Sequence, residues 1–257
     1  MIMNTFKDFL VKLKRYFRFS KEEIEACIIS ILVLAFIISF HEWGYGNKFD
    51  FNIGLWNWLK SIIIVGIVLL FHVISVKLKA LYYGYRAEYK IWWYGLLIGL
   101  GMAFFTGSMV KGGGAVFWIL APGGFFFHHM AQHRLGWFRY GVNMMETGWS
   151  LTYGILSTVV LAMIFRLMLF VFPGSVFLYK AMVVSLWFAF FMMLPIPPLS
   201  GSRIFFWSRL FYAFVFGMVI GVNLVLRFNI NILWVLLVSL IVGILVWLLQ
   251  LVGVEGV

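Results

Sequence analysis

Long apolar stretches, each close to the length of a membrane-spanning helix, dominate this chain. A helix needs about 20 apolar residues to cross about 30 Å of hydrocarbon. Seven stretches approach this length, near residues 24–40, 61–80, 91–109, 148–172, 178–199, 208–226 and 230–252. Charged residues make up only 11% of the 257, whereas soluble domains contain about 25%. The sequence therefore predicts an integral membrane protein and excludes an ordinary soluble domain.

The predicted fold is an all-α polytopic membrane protein with about six to seven transmembrane helices. The segment 114–127 is apolar but too short for a full span, and a Pro-Gly-Gly sequence at 122–124 interrupts it. Because proline and glycine disfavour a continuous helix, we expect a re-entrant or β-hairpin-like segment there. We predict one transmembrane domain over 24–257, behind a basic amphipathic segment at 1–23.

The net charge of +11 indicates a membrane topology rather than a nucleic-acid partner. Basic residues cluster before the first span and at the end of the second: Lys7, Lys12, Lys14, Arg15, Arg18 and Lys21, then Lys77, Lys79, Arg86 and Lys90. Between these two spans only Lys48 and Lys60 are basic. By the positive-inside rule, the N-terminus is predicted to be cytoplasmic.

The sequence Leu-Pro-Ile-Pro-Pro-Leu-Ser-Gly at 194–201 contains three of the five prolines. It follows at least 17 almost uncharged residues, so it is predicted to break a helix at membrane depth. Backbone groups freed from helical bonding inside a bilayer must be satisfied by protein or by a polar cavity. Such a break is typical of a functional site.

Two segments carry a family resemblance. Residues 187–203 resemble the third-ligand motif of the site-2 protease family of intramembrane zinc peptidases, and residues 72–90 resemble, without a gap, the stretch that begins with the family's His-Glu-x-x-His helix. The glycines at 112–114 resemble its glycine-rich strand, in the family's order. The resemblance implies a site-2-protease-like core over about 61–210, of archaeal type, in a plasma membrane. In the family, two His and one Asp hold zinc and a Glu is the general base.

The positions that would carry this chemistry depart from the family pattern. His72 is retained, but Val73 stands where the Glu belongs and Val76 where the second His belongs. Ser200 replaces the Asp ligand, and Met192 replaces the Asn that opens the loop. Valine offers zinc no lone pair, and three protein ligands are needed. We therefore expect no catalytic residue, no cofactor and no enzyme activity, and a neutral His72 hydrogen-bonded to Ser200 or to a backbone carbonyl of the broken span.

The resemblance implies a groove for membrane-protein clients that does not depend on zinc. A pseudoprotease of this kind would bind or regulate clients, or an active protease relative, within the lipid bilayer and without nucleic acid. The residues expected to bind clients are Gly112, Gly113, Gly114, Pro195, Pro197 and Pro198. The oligomeric state stays open.

One alternative is an active zinc metallopeptidase with unorthodox ligands. His129 and His133 are four residues apart, the spacing of two zinc ligands on one helical face. With His128 and Glu146 they are the weak candidates for a metal site, although Met130 would then occupy the position of the base. The interpretation we favour is an interfacial histidine cluster without a metal.

A second alternative is a transporter or a lipid-binding membrane subunit in which Arg166 lines a polar path. A central arginine costs about 2.5–3.5 kcal/mol on insertion scales. The ordinary explanation is that the long side chain reaches the membrane surface.

Overall fold

The computed structural model describes residues 2–45, 48–109, 118–130, 141–226 and 232–255. Within these ranges the chain forms nine helices and four short strands. The helices are α1 (Ile2–Tyr16), α2 (Lys21–Ser39), α3 (Phe51–Tyr83), α4 (Trp93–Met109), α5 (Met144–Val171), α6 (Val176–Met192), α7 (Ser200–Trp207), α8 (Arg209–Val225) and α9 (Ile232–Glu255). The strands are β1 (Gly44–Tyr45), β2 (Lys48–Phe49), β3 (Tyr85–Ile91) and β4 (Gly123–His129).

In the described part of the chain, three helices are long and apolar enough to cross a membrane, which supports an integral membrane protein. They are α3, α5 and the segment Leu233–Val252 of α9. Shorter apolar helices lie at Trp93–Thr106, Val176–Met192 and Arg209–Val225. The mostly helical fold is confirmed, and the count of six to seven spans stays a prediction.

The predicted span 178–199 is too long, because α6 ends at Met192. Pro195 has no backbone N–H to donate to a helix, and its ring disfavours helical dihedral angles at Leu194. The chain turns through 193–199 and re-enters a helix at Ser200.

The predicted irregular segment at 114–127 includes a strand, whose partner was not predicted. β4 pairs antiparallel with β3, from Tyr85 opposite His129 to Ile91 opposite Gly123. The two strands lie on either side of α4 in the sequence, so they are not a simple hairpin. Aromatic residues such as those at 125–127 favour strands. The all-α prediction is therefore corrected to a helical fold with a small β3–β4 sheet.

A buried ion pair joins α2, α3 and β3. Lys77 Nζ lies 2.5 Å from Glu23 Oε2 and donates a hydrogen bond of 2.9 Å to the Arg18 carbonyl. The Tyr89 N–H donates to the other Glu23 oxygen at 3.2 Å. Only 5% of the Lys77 side chain and 1% of the Glu23 side chain are exposed. The pair fixes the end of α3 against the start of α2.

Candidate functional site

Local turns pair backbone groups at both ends of the proline break. The Met193 N–H donates to the carbonyls of Ala189 and Phe190, at 3.2 and 3.1 Å. The Leu199 N–H donates to the Ile196 carbonyl at 2.8 Å. These bonds close the end of α6 and lead into α7, so local turns pair part of the backbone that the break frees from the helix.

Strand β4 lies between the proline break and His72. A Cβ atom added at Gly124 would collide with the Pro198 carbonyl oxygen, so only glycine lets the two backbones approach this closely. The next residue, Phe125, places its ring centroid 5.6 Å from that of His72. The retained histidine and the proline break are therefore linked through one strand.

The three residues of α3 that were compared with the family motif face the interior. His72, Val73 and Val76 are fully buried. A Cβ atom at Gly154 of α5 would collide with a Val76 methyl group and lie 3.0 Å from His72 Cε1. The Phe188 ring of α6 lies 5.3 Å from the His72 ring. Apolar packing between α3, α5 and α6 thus surrounds the histidine.

His72 and Ser200 are buried polar groups without partners. Neither imidazole nitrogen of His72 nor the Ser200 hydroxyl makes a hydrogen bond within the part of the chain that the structure describes. The Gly154 backbone lies close to the ring but outside hydrogen-bonding geometry. The predicted hydrogen bond from His72 to Ser200 or to a carbonyl of the broken span is therefore wrong, because aromatic rings and valine enclose the imidazole.

The residues at this site do not fit a zinc ion as the family holds it. One imidazole and one hydroxyl are present, and the other two positions are valines whose side chains have no donor atom. Met192, also fully buried, ends α6. Among the described residues, no group of three His, Cys, Asp or Glu side chains could hold a metal ion.

His72→Leu is expected to raise the free energy of unfolding by about 1–2 kcal/mol. A buried polar group without a partner costs about 1–3 kcal/mol, and leucine has a similar volume without that cost. Unfolding in mixed detergent micelles measures the effect. A loss of more than about 2 kcal/mol would instead mean that the imidazole holds a partner.

The first two histidines of the cluster lie on a strand. His128 and His129 are successive residues of β4, so their side chains point to opposite faces. His128 lies 3.8 Å from Glu88, and the His129 ring lies 5.1 Å from that of Tyr85. Helical spacing therefore does not apply at His129. His133, like the glycines at 112–114, lies outside the described residues.

Glu146, the remaining candidate for a metal ligand, lies in the first turn of α5 and approaches Tyr85. Burial, followed by the hydrogen bond to Glu146, raises the pKa of the Tyr85 hydroxyl. This carboxylate is therefore engaged with the tyrosine of β3.

Arg166 lies near the turn between α5 and α6. Its guanidinium lies 5.5 Å from the centre of the Phe170 ring, and it lines an open pocket of 430 Å³ with residues 173–176 of the turn. A place beside the end of a span is typical of an arginine that reaches the membrane surface. This position favours the ordinary explanation over a polar path through the membrane.

Comparison with known proteins identifies one informative relative. A protein of Methanocaldococcus jannaschii named "Putative zinc metalloprotease MJ0611" is 30% identical to the chain over 216 residues. The match covers 82% of this chain and 98% of the relative. No protein-family model matches the chain, and no solved structure matches it significantly.

Proposed function

This chain belongs to the site-2 protease-like family of membrane zinc metalloproteases, and from that premise we propose that it is a non-catalytic member that binds membrane-protein clients. It would present them to, or withhold them from, an active protease. The catalytic positions His72, Val73, Val76, Met192 and Ser200 would then serve packing, with no zinc and no general base.

The packing of two valines carries the proposal. Val73 and Val76 are fully buried at the positions of the family's base and second histidine. Val76 fills the space against Gly154. Apolar side chains therefore occupy the positions at which hydrolysis would need polar groups. A carboxylate that accepts a proton from water and a third ligand are both missing from this set.

The client surface that we propose consists of Pro195, Ile196, Pro197 and Phe126. The three residues of the break are exposed, and Ile196 exposes 45% of its surface. Phe126, two residues after the contact of Gly124 with the break, is 43% exposed. An extended client segment would add beside β4 and place apolar side chains on these residues. Pro198 positions the break against the strand.

The wider organisation of the molecule is part of the same proposal. We place the six to seven spans in a plasma membrane with the N-terminus in the cytoplasm, because the basic residues of 1–23 favour that side. One domain over 24–257 would hold both the degenerate site and the client surface. The glycines at 112–114 stay candidates for client binding.

A cleavage assay tests the absence of hydrolysis. The purified protein and an active family member are each incubated with zinc and a transmembrane peptide that the active member cleaves. We expect cleavage by the active member and none by this chain. Cleavage that disappears in a His72→Ala variant would contradict the proposal.

Ile196→Asp is expected to reduce client binding by about tenfold or more. A carboxylate at a buried apolar contact costs more than about 1.4 kcal/mol, which is a factor of ten. Photo-crosslinking to the same transmembrane peptide measures the binding. Val176→Asp is the matched control, because Val176 is 78% exposed at the far end of α6. Equal crosslinking by the two variants would contradict the claim that clients bind this surface.

A further inference from the structure

A groove runs between α3 and α5 along exposed side chains of both helices. Its volume is 650 Å³, and its lining is Phe9, Phe71, Ser75, Leu78, Lys79, Tyr82, Trp149, Tyr153, Leu156, Ser157 and Val160. The hydroxyls of Ser75 and Ser157 donate to carbonyls of their own helices, at 2.7 and 2.6 Å. Apart from the ring hydroxyls and indole at one end, the groove therefore presents an apolar surface and one charge, that of Lys79.

The length of the groove matches one leaflet of a bilayer. The lining spans eleven residue steps on each helix, from 71 to 82 on α3 and from 149 to 160 on α5. At 1.5 Å per residue each side is about 16 Å long. Half of a hydrocarbon core of about 30 Å is about 15 Å. A single lipid chain lying along the groove would run from the membrane surface to the midplane.

Lys79 lies at the surface end of the groove, surrounded by tyrosine rings. Its ammonium group lies 4.3 Å from the ring centre of Tyr153, 4.7 Å from that of Tyr82 and 5.0 Å from that of Tyr83. Among the described residues, no carboxylate forms an ion pair with Lys79. The rings hold the cation in place, and tyrosine is typical of the level of lipid headgroups.

Helix α1 adds positive charge at the same end. Phe9 of α1 lines the groove, and its ring lies 6.3 Å from that of Tyr82. On the same helix, Lys14 and Arg15 are exposed in the last turn. Basic residues beside a membrane attract anionic lipids, at about 1 kcal/mol for each residue near the surface. The charge around the groove therefore favours an anionic headgroup.

We propose that this groove binds one anionic phospholipid, with an acyl chain between α3 and α5 and the phosphate at Lys79. The bound lipid would cover exposed apolar side chains of both helices. It would also connect α1 to the span that carries the degenerate motif. The site is independent of client binding and of catalysis.

Native mass spectrometry of the protein in detergent, titrated with phosphatidylglycerol or phosphatidylcholine, tests the proposal. We expect one phosphatidylglycerol to bind more tightly than phosphatidylcholine. Lys79→Gln should weaken the affinity for phosphatidylglycerol about fivefold, which is the effect of one lysine at an anionic lipid surface. Lys79→Arg should retain binding. Lys60→Gln is the matched control, since Lys60 is an exposed lysine near the other end of the same helix.

A second variant tests the chain-binding part of the groove. Ser157→Trp should fill the space between the helices and reduce binding of both lipids. Equal affinity for the two lipids, or an unchanged affinity in Lys79→Gln, would overturn the proposal. Displacement of phosphatidylglycerol by a transmembrane client peptide would assign the groove to a protein helix instead, and displacement by glycerol phosphate would assign it to free phosphate.

Discussion

Lys77→Met is expected to lower the free energy of unfolding by about 3–5 kcal/mol. The substitution keeps an unbranched side chain, one atom shorter, but leaves the Glu23 carboxylate, 1% exposed, without its countercharge. Removing one partner of a buried ion pair has this effect because the remaining charge cannot be hydrated. The Arg18 carbonyl also loses its donor. Unfolding in mixed detergent micelles measures the change.

Two controls separate the buried charge from a general effect of the substitution. Arg86→Met breaks the partly exposed pair with Glu88, whose atoms lie 3.0 Å apart, and should lower the free energy of unfolding by about 0–1 kcal/mol. The double variant Glu23→Gln with Lys77→Met should recover part of the loss, because the glutamine oxygen still accepts from the Tyr89 N–H. A Lys77→Met variant no less stable than Arg86→Met would contradict the burial of the pair.

Gly124→Val is expected to lower the free energy of unfolding by about 1–3 kcal/mol and to reduce client crosslinking. Any Cβ atom at this position collides with the Pro198 carbonyl oxygen, so strand and proline break must separate. Overpacking of this kind forces backbone shifts. Unfolding in detergent and crosslinking to the transmembrane peptide measure the two effects.

Gly66→Val is the matched control for this experiment. Apart from its own helix backbone, a Cβ atom at Gly66 meets no described atom within 4 Å, so the added side chain should change stability by less than about 0.5 kcal/mol. Crosslinking should also be unchanged. If the two variants unfold alike, the contact between β4 and the break does not contribute to the fold.

Local sequence patterns predicted the helices well, but they could not predict the long-range contacts. The proline break was visible because proline acts on its own neighbours, and α6 ends just before it. The β3–β4 pairing joins residues separated by α4, and a single sequence carries no signal for such a partner. The spacing of His129 and His133 indicated a helix, but aromatic residues just before them form a strand.

The partners of buried polar groups also could not be predicted from the sequence. Glu23 and Lys77 are 54 residues apart. In the sequence, each is only a charged residue at the end of a predicted span. The sequence also predicted a hydrogen bond for His72, since polar groups in a membrane normally find one. Its isolation follows from the rings of Phe125 and Phe188, which only the packing of three elements brings to the imidazole.

The zinc content of the purified protein tests the central claim most directly. After dialysis against zinc and then buffer, elemental analysis is applied to the wild type and to the variant that combines Val73→Glu, Val76→His and Ser200→Asp. The account predicts no stoichiometric zinc in the wild type and about one zinc per chain in the folded variant, lost again when His72→Ala is added. Stoichiometric zinc in the wild type that His72→Ala removes would contradict it.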